Sequence, residues 1–184
     1  VALHTADAVP VYVYSRDFDY RIPADPDKSK GLMADACIDV PDHFVIYDID
    51  VGISLRHSSV WDLQISLIGP DGTSLCLNMY HFDEYFVGQD YIDTVFDDEA
   101  DIAIEDARPP FTGRFRPRSP AELSVFDGRD AFGKWTLRVY DAYYYDTGTF
   151  ERLELVITAP EPATVILFVL GLVTARFGRL SRGL

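Results

Sequence analysis

The segment that decides the fold reads Gly133-Lys134-Trp135-Thr136-Leu137-Arg138-Val139-Tyr140-Asp141, then Ala142-Tyr143-Tyr144-Tyr145, then Asp146-Thr147-Gly148-Thr149-Phe150 and Glu151-Arg152-Leu153-Glu154-Leu155-Val156-Ile157. Trp135, Leu137 and Val139 alternate with Lys134, Thr136 and Arg138, the period-two pattern of a strand with one face in a core. Leu153, Leu155 and Ile157 repeat that pattern after the turn residues Asp146-Thr147-Gly148-Thr149. The segment predicts a β-hairpin with a long, tyrosine-rich connection, and Trp135 belongs in the core.

Upstream, the same period recurs. Ile49, Val51, Ile53 and Leu55 alternate with Asp48, Asp50, Gly52, Ser54 and Arg56, and Leu63, Ile65 and Leu67 follow suit. Pro70-Asp71-Gly72 predicts a tight turn into Leu75 and Leu77. Gly31 to Val40 is a strand candidate, and Val9, Val11 and Val13 suggest a lead-in strand. Residues Met79 to Asp93 are aromatic and acidic without periodicity and read as a long surface loop. Arg108 to Pro120 contains four prolines and reads as loop or edge. Before Ala159 no apolar pattern of period 3.6 is sustained. Short strands with regular turns and no helix point to an all-β sandwich.

Several pieces, taken in order, resemble a known module. They are His57-Ser58-Ser59-Val60-Trp61-Asp62-Leu63, Ile68-Gly69-Pro70-Asp71-Gly72-Thr73, Thr94-Val95-Phe96-Asp97-Asp98-Glu99-Ala100, Pro110-Phe111-Thr112-Gly113-Arg114-Phe115-Arg116-Pro117, Phe126-Asp127-Gly128 and the Trp135 strand. Together they resemble the P domain (P/Homo B) that follows the subtilisin-like catalytic domain of proprotein convertases and many bacterial secreted proteases. The resemblance runs from about Tyr14 to Thr158. It implies a jelly-roll-like β-sandwich, an association with serine endopeptidases, and a loop hydrogen-bonding role for His57 and Asp62. Gly72-Thr73-Ser74-Leu75 superficially resembles the nucleophile segment of subtilisin-like enzymes, but after Pro70-Asp71 it reads as a hairpin turn. A triad also needs a base and an orienting acid brought to the serine, and the chain has no room for a subtilisin-type catalytic domain beside the sandwich. The expectation is a non-enzyme.

The formal net charge is −14. Residues 1 to 160 carry 13 basic and 29 acidic groups, a net of −16, because Arg176, Arg179 and Arg182 lie in the tail and Glu161 is its only acid. Such a body repels nucleic acid and anionic lipid and suits divalent cations. Nucleic acid is therefore not an expected partner. The carboxylates concentrate at Asp83, Glu84, Asp90 and Asp93, and again at Asp97, Asp98, Glu99 and Asp101. Calcium takes six to eight oxygens from flexible loops, and the resemblance extends to bacterial P domains that hold calcium. The candidate ligands are Asp90, Asp93 and one of Asp97 or Asp98, with Asp62 as an outlying member; a solvated acidic surface is the alternative. Strict alternation puts both Cys37 and Cys76 on the polar side of their strands. They form one bridge if those strands are neighbours and two surface thiols otherwise. Tyr80, Phe82, Tyr85, Phe86 and Tyr91 in one loop, with Tyr143-Tyr144-Tyr145 in another, either pack over the sandwich ends or stack on a polysaccharide or protein partner.

Character changes at Ala159. Pro160-Glu161-Pro162 precedes thirteen uncharged residues, Ala163 to Ala175, and three arginines punctuate the last nine positions. As a helix the uncharged run spans about 20 Å, and about 27 Å if extended to Leu180 with Arg176 and Arg179 snorkelling. Basic residues at that end hold it in the cytoplasm. This end resembles the PEP-CTERM sorting signal: a Pro-Glu-Pro motif, a hydrophobic helix and a basic tail. The resemblance implies an exosortase-type processing enzyme as partner and transient anchorage in the membrane; a plain helix packed on the domain is the alternative.

The expected organisation is a lead-in at 1–13, a P-domain-like sandwich at 14–158 and a sorting tail with a short hydrophobic helix at 159–184. The expected role is structural or adhesive, at the cell surface or in extracellular polymer. Two alternatives stand beside it: the C-terminal domain of a subtilisin-like protease, and a calcium-dependent carbohydrate or protein binder.

Overall fold

The computed structural model describes residues 9–28, 30–81 and 88–160. The expected hydrophobic C-terminal helix, Glu161, Pro162 and residues 82–87 of the first aromatic loop lie outside the described residues. Two sheets face one another. The first runs β1 (Val11–Ile22), β10 (Gly148–Thr158), β4 (Asp48–His57), β7 (Tyr91–Phe96) and β8 (Phe111–Phe115) in spatial order. In the second, β9 (Gly133–Asp141) pairs on one side with β2 (Gly31–Leu32) and β3 (Ala36–Val40), and on the other with β5 (Leu63–Ile68), which pairs with β6 (Ser74–Asn78). The β-sandwich expected from the alternation is the fold.

The apolar alternation becomes the contact between layers. Val51, Leu55, Leu153, Leu155 and Ile157 of the first sheet are fully buried, as are Leu63, Ile65, Leu67, Leu137 and Val139 of the second. Trp135 sits where the sequence puts it, 1% exposed, with its Nε1–H donating to the Ala131 carbonyl at 2.9 Å. Phe126 meets its ring edge-on at 5.1 Å, a geometry favoured by the ring quadrupoles.

The expected hairpin does not form. Leu137 of β9 pairs with Leu67 of β5, whereas Leu155 of β10 pairs with Val51 of β4, so β9 and β10 belong to opposite sheets. The tyrosine-rich connection carries the chain from one layer to the other. Alternation specifies which face of a strand is buried but not which strand lies beside it. Two strands facing each other across a sandwich therefore have the same pattern as two hydrogen-bonded neighbours.

Three further boundaries move. β1 begins at Val11, paired to Thr158, so the division expected between residues 13 and 14 falls inside a strand. Tyr91 to Asp93 leave the expected loop and start β7; Tyr91 is buried, its hydroxyl accepting from Asn78 Nδ2 at 2.7 Å. The proline-rich segment holds β8 as an edge strand, parallel to β7.

Cys37 and Cys76 are free thiols. Cys37 on β3 lies opposite Thr136 of β9, and Cys76 on β6 lies opposite Ser66 of β5. With β9 and β5 between them, the two are three inter-strand steps apart, about 14 Å. A disulfide requires Cα atoms within about 7 Å, so no bridge can form between them.

Candidate functional site

The first sheet ends in a charged cluster at each extremity. At one end Asp48 and Asp50 of β4 line an acidic cavity of about 550 Å³ with Asp97, Asp98, Asp127 and Arg114. The β4 alternation that buries Ile49 and Val51 turns both aspartates outward. Arg114, on β8, donates from Nε to Asp97 at 2.6 Å and from Nη2 to Asp50 at 2.6 Å. Those two bonds raise its pKa above the ordinary guanidinium range. Burial acts against ionisation of Asp97, but the bonds from Arg114 and the Glu99 N–H prevail and hold its pKa below the usual value. Asp48 and Asp50 go the other way, raised by burial. Asp127 is pushed up to about 6, by burial first and then by Asp48 and Asp98. Asp98 anchors the backbone beside the cavity, its two oxygens accepting the Leu123 and Ser124 N–H groups, each at 2.9 Å, at the start of the 3-10 turn Leu123–Phe126.

The other end is built around His57, the last residue of β4. Its side chain and that of Asp141 are fully buried, with Nε2 and Oδ2 3.4 Å apart. His57 Nδ1 lies 2.7 Å from the Ser59 carbonyl, and the Ser59 hydroxyl donates to Asp62 at 3.0 Å. Asp62 is pushed up to about 6 by burial, with Asp146 and Asp141 adding repulsion and the Ser59 hydroxyl opposing. Ser58 donates to Asp146 at 2.7 Å. Serine, histidine and aspartate thus meet here, but the Ser59 hydroxyl serves Asp62 rather than the imidazole, and a nucleophile needs that bond to its base. The arrangement braces loops, the role expected for His57 and Asp62. Ser74 lies at the start of β6, opposite Ile68.

The sequence-predicted calcium ligands are divided between these ends. Asp90 and Asp62 lie at the His57 end, Asp97 and Asp98 at the acidic end, with the length of β7, about 20 Å, between Asp90 and Asp97. One ion cannot bridge that span. Asp90 has φ 68° and accepts the His57 N–H at 2.9 Å. Asp93 has φ 46°, sits at a register shift in β7, and accepts the Ser54 hydroxyl at 3.2 Å. Aspartate tolerates the left-handed region because its short side chain bonds locally, which accounts for both residues without a metal. Among the described residues no three histidine, cysteine or acidic side chains converge as metal ligands. Sequence reasoning missed Asp48, Asp50 and Asp127 as partners of Asp97 and Asp98; the polar positions of the β4 alternation were the available signal.

Both ends fall within one family match. Residues 46–157 match the model of the proprotein convertase P-domain. The chain belongs to the proprotein convertase P-domain family. P-domains are non-catalytic modules associated with serine proteases. No curated protein matches the chain. Among solved structures it is similar to the serine protease of Aeromonas sobria in complex with its chaperone ORF2, at 18% identity and TM-score 0.48, covering 83% of this chain and 27% of that one. The Aeromonas sobria protease by itself gives 16% identity and TM-score 0.48 over 82% of this chain and 27% of that chain. The structure of infectious bursal disease virus Gx strain gives 13% and TM-score 0.37 over 83% of this chain and 33% of that chain. The chain thus spans about a quarter of the protease chains it matches. The P-domain match begins at Ile46, yet β1, outside it, is hydrogen-bonded to β10 from Val11 to Ile22.

Proposed function

We propose that this P-domain is a non-catalytic module with a structural or adhesive role in the cell envelope or extracellular matrix, delivered there by a PEP-CTERM-like tail. The carrying observation is the succession of a P-domain, Pro160-Glu161-Pro162, an uncharged run and three arginines in one chain. Segment order supplies the mechanism. The prolines keep the spacer out of a helix, the apolar run enters the bilayer, and Arg176, Arg179 and Arg182 resist translocation. An exosortase-type enzyme then processes the chain near the motif. The P-domain ends beside its own beginning, the Ala159 N–H donating to the Pro10 carbonyl at 2.9 Å. The tail therefore departs from the end of β10, where Thr158 lines the acidic cavity.

Mass spectrometry of the mature protein from its native host tests this reading. The expected product is exported and lacks the hydrophobic run, and replacing Pro160-Glu161-Pro162 with alanines blocks that processing while membrane insertion persists. A mature chain ending at Leu184 in the soluble fraction refutes the tail's role. The family's association with serine proteases supports a second reading, a C-terminal stabilising domain of a subtilisin-like endopeptidase. Co-purification with a peptidase activity that depends on this domain for its thermal stability would favour that reading over the first.

A further inference from the structure

The His57 end of the outer face carries an open groove of about 590 Å³ that the loop-bracing role leaves unused. Cross-strand register builds it. Arg21 of β1 lies opposite Thr149 of β10, and Thr149 lies opposite Arg56 of β4. Two arginines therefore flank one threonine on adjacent strands, with Cα atoms two inter-strand steps apart, about 10 Å. Both guanidinium groups reach a ligand placed above Thr149. Among the described residues Arg21 has no hydrogen-bond or ion-pair partner. Arg56 is bonded to Glu151 at 2.9 Å, but the pair is 76% and 38% exposed, the kind of surface contact that exchanges partners at little cost. The floor is rigid: a Cβ on Gly148 would lie 2.1 Å from the Arg56 carbonyl, so β10 closes against β4 only with glycine there.

The groove's chemistry narrows the ligand. No aliphatic side chain lines it; Gln89, Ser58, Thr147 and Thr149 supply polar groups between the arginines. The groove offers no apolar pocket to anchor a hydrophobic side chain of a peptide. The two arginine charges are matched by Asp90 and Glu151 nearby, and the body as a whole carries −16. The field therefore does not attract a densely charged polyanion or an anionic membrane. What remains is capture by directed, charge-assisted hydrogen bonds to an isolated anionic group. A hydroxyl-rich chain with sparse charge has that character. Tyr145, two residues before Thr147 in the chain, is 95% exposed and offers a ring on which a sugar can stack.

We propose that the groove binds an acidic polysaccharide, with one carboxylate or sulfate held between Arg21 and Arg56 and neighbouring hydroxyls bonded by Gln89, Thr147 and Thr149. This rests on the adhesive reading for its setting and names its ligand class. Calorimetric titration of the full chain with sparsely carboxymethylated dextran, sparsely sulfated dextran and neutral dextran tests it. One of the two sparsely charged dextrans is expected to bind and neutral dextran not; which one binds separates a carboxylate from a sulfate ligand. Arg21→Gln and Arg56→Gln each weaken binding about tenfold, the loss expected for one charge-assisted bond, and the pair abolishes it at an unchanged unfolding midpoint. The salt dependence is shallow, corresponding to one or two released ions. Arg138→Gln, on β9 of the other sheet and paired with Asp35, leaves binding intact. Undiminished binding by the double variant, an equal loss in Arg138→Gln, or no binding of either polymer overturns the groove assignment. Failure of this assay with normal export and tail processing removes the polysaccharide alone and leaves the envelope reading in place.

Discussion

Replacing Asp127 with asparagine should stabilise the domain at neutral pH. Asp127 is pushed up to about 6 in the folded protein against an ordinary 3.8, chiefly by partial desolvation at the acidic cavity and then by Asp48 and Asp98. A raised folded value means that the native state holds this proton more tightly than the unfolded chain. Stability from Asp127 is therefore full below about pH 4, declines as pH rises to about 6, and stays low above it. Two units correspond to at most about 3 kcal/mol. The carboxyl is partly exposed, and solvent screening reduces the expected effect to about 1 kcal/mol. Asp127→Asn should gain that amount at pH 7 and nothing at pH 3.5. Carboxylates with lowered values, such as Asp97 and Asp35, add stability as pH rises, but they are common to both proteins and cancel in the difference. Asp62, raised to about 6 at the far end of the sheet, contributes separately. Asp62→Asn with Asp127→Asn should be additive, since the sites share no partner. Urea unfolding at half-unit steps from pH 3.5 to 8, with constant m-values, measures this directly. A difference between parent and Asp127→Asn that does not change between pH 4 and 6 would refute the reasoning.

Trp135→Ala should cost about 3–5 kcal/mol through the cavity left beside Phe126 and the lost bond to Ala131, lowering the thermal midpoint by about 10 °C; a loss under about 1 kcal/mol would contradict its burial. Under oxidising conditions, Cys37 and Cys76 should both remain alkylatable in the monomer, and an intramolecular bridge found by mass spectrometry would disprove the strand order of the second sheet. Calcium and magnesium at equal ionic strength should raise the unfolding midpoint equally, as screening of a charged surface requires. A larger calcium shift that disappears in Asp90→Asn with Asp93→Asn would establish the ion that the separated carboxylates argue against.

Local sequence was sufficient for everything that depends on a strand's own two faces. The alternation at Ile49 to Leu55 and at Trp135 to Val139 correctly identifies the inward residues, because successive side chains of a strand must point to opposite sides. Pro70-Asp71-Gly72 likewise announces its turn, with Gly72 at φ 87° where a side chain is disfavoured. What alternation cannot contain is the identity of the neighbouring strand. That is why β9 and β10 look like a hairpin and lie in opposite sheets, and why Cys37 and Cys76 share a sheet without meeting. The same gap governs the sites. Asp90, Asp93, Asp97 and Asp98 are close in sequence, but an extended strand carries them to opposite ends of the sandwich. Asp48 and Asp127, remote in sequence, complete the acidic cavity, and Arg21, Thr149 and Arg56 become adjacent only when β1, β10 and β4 align. Composition and periodicity act over a few residues, whereas long-range pairing depends on packing the two layers together, and only the tertiary structure decides that.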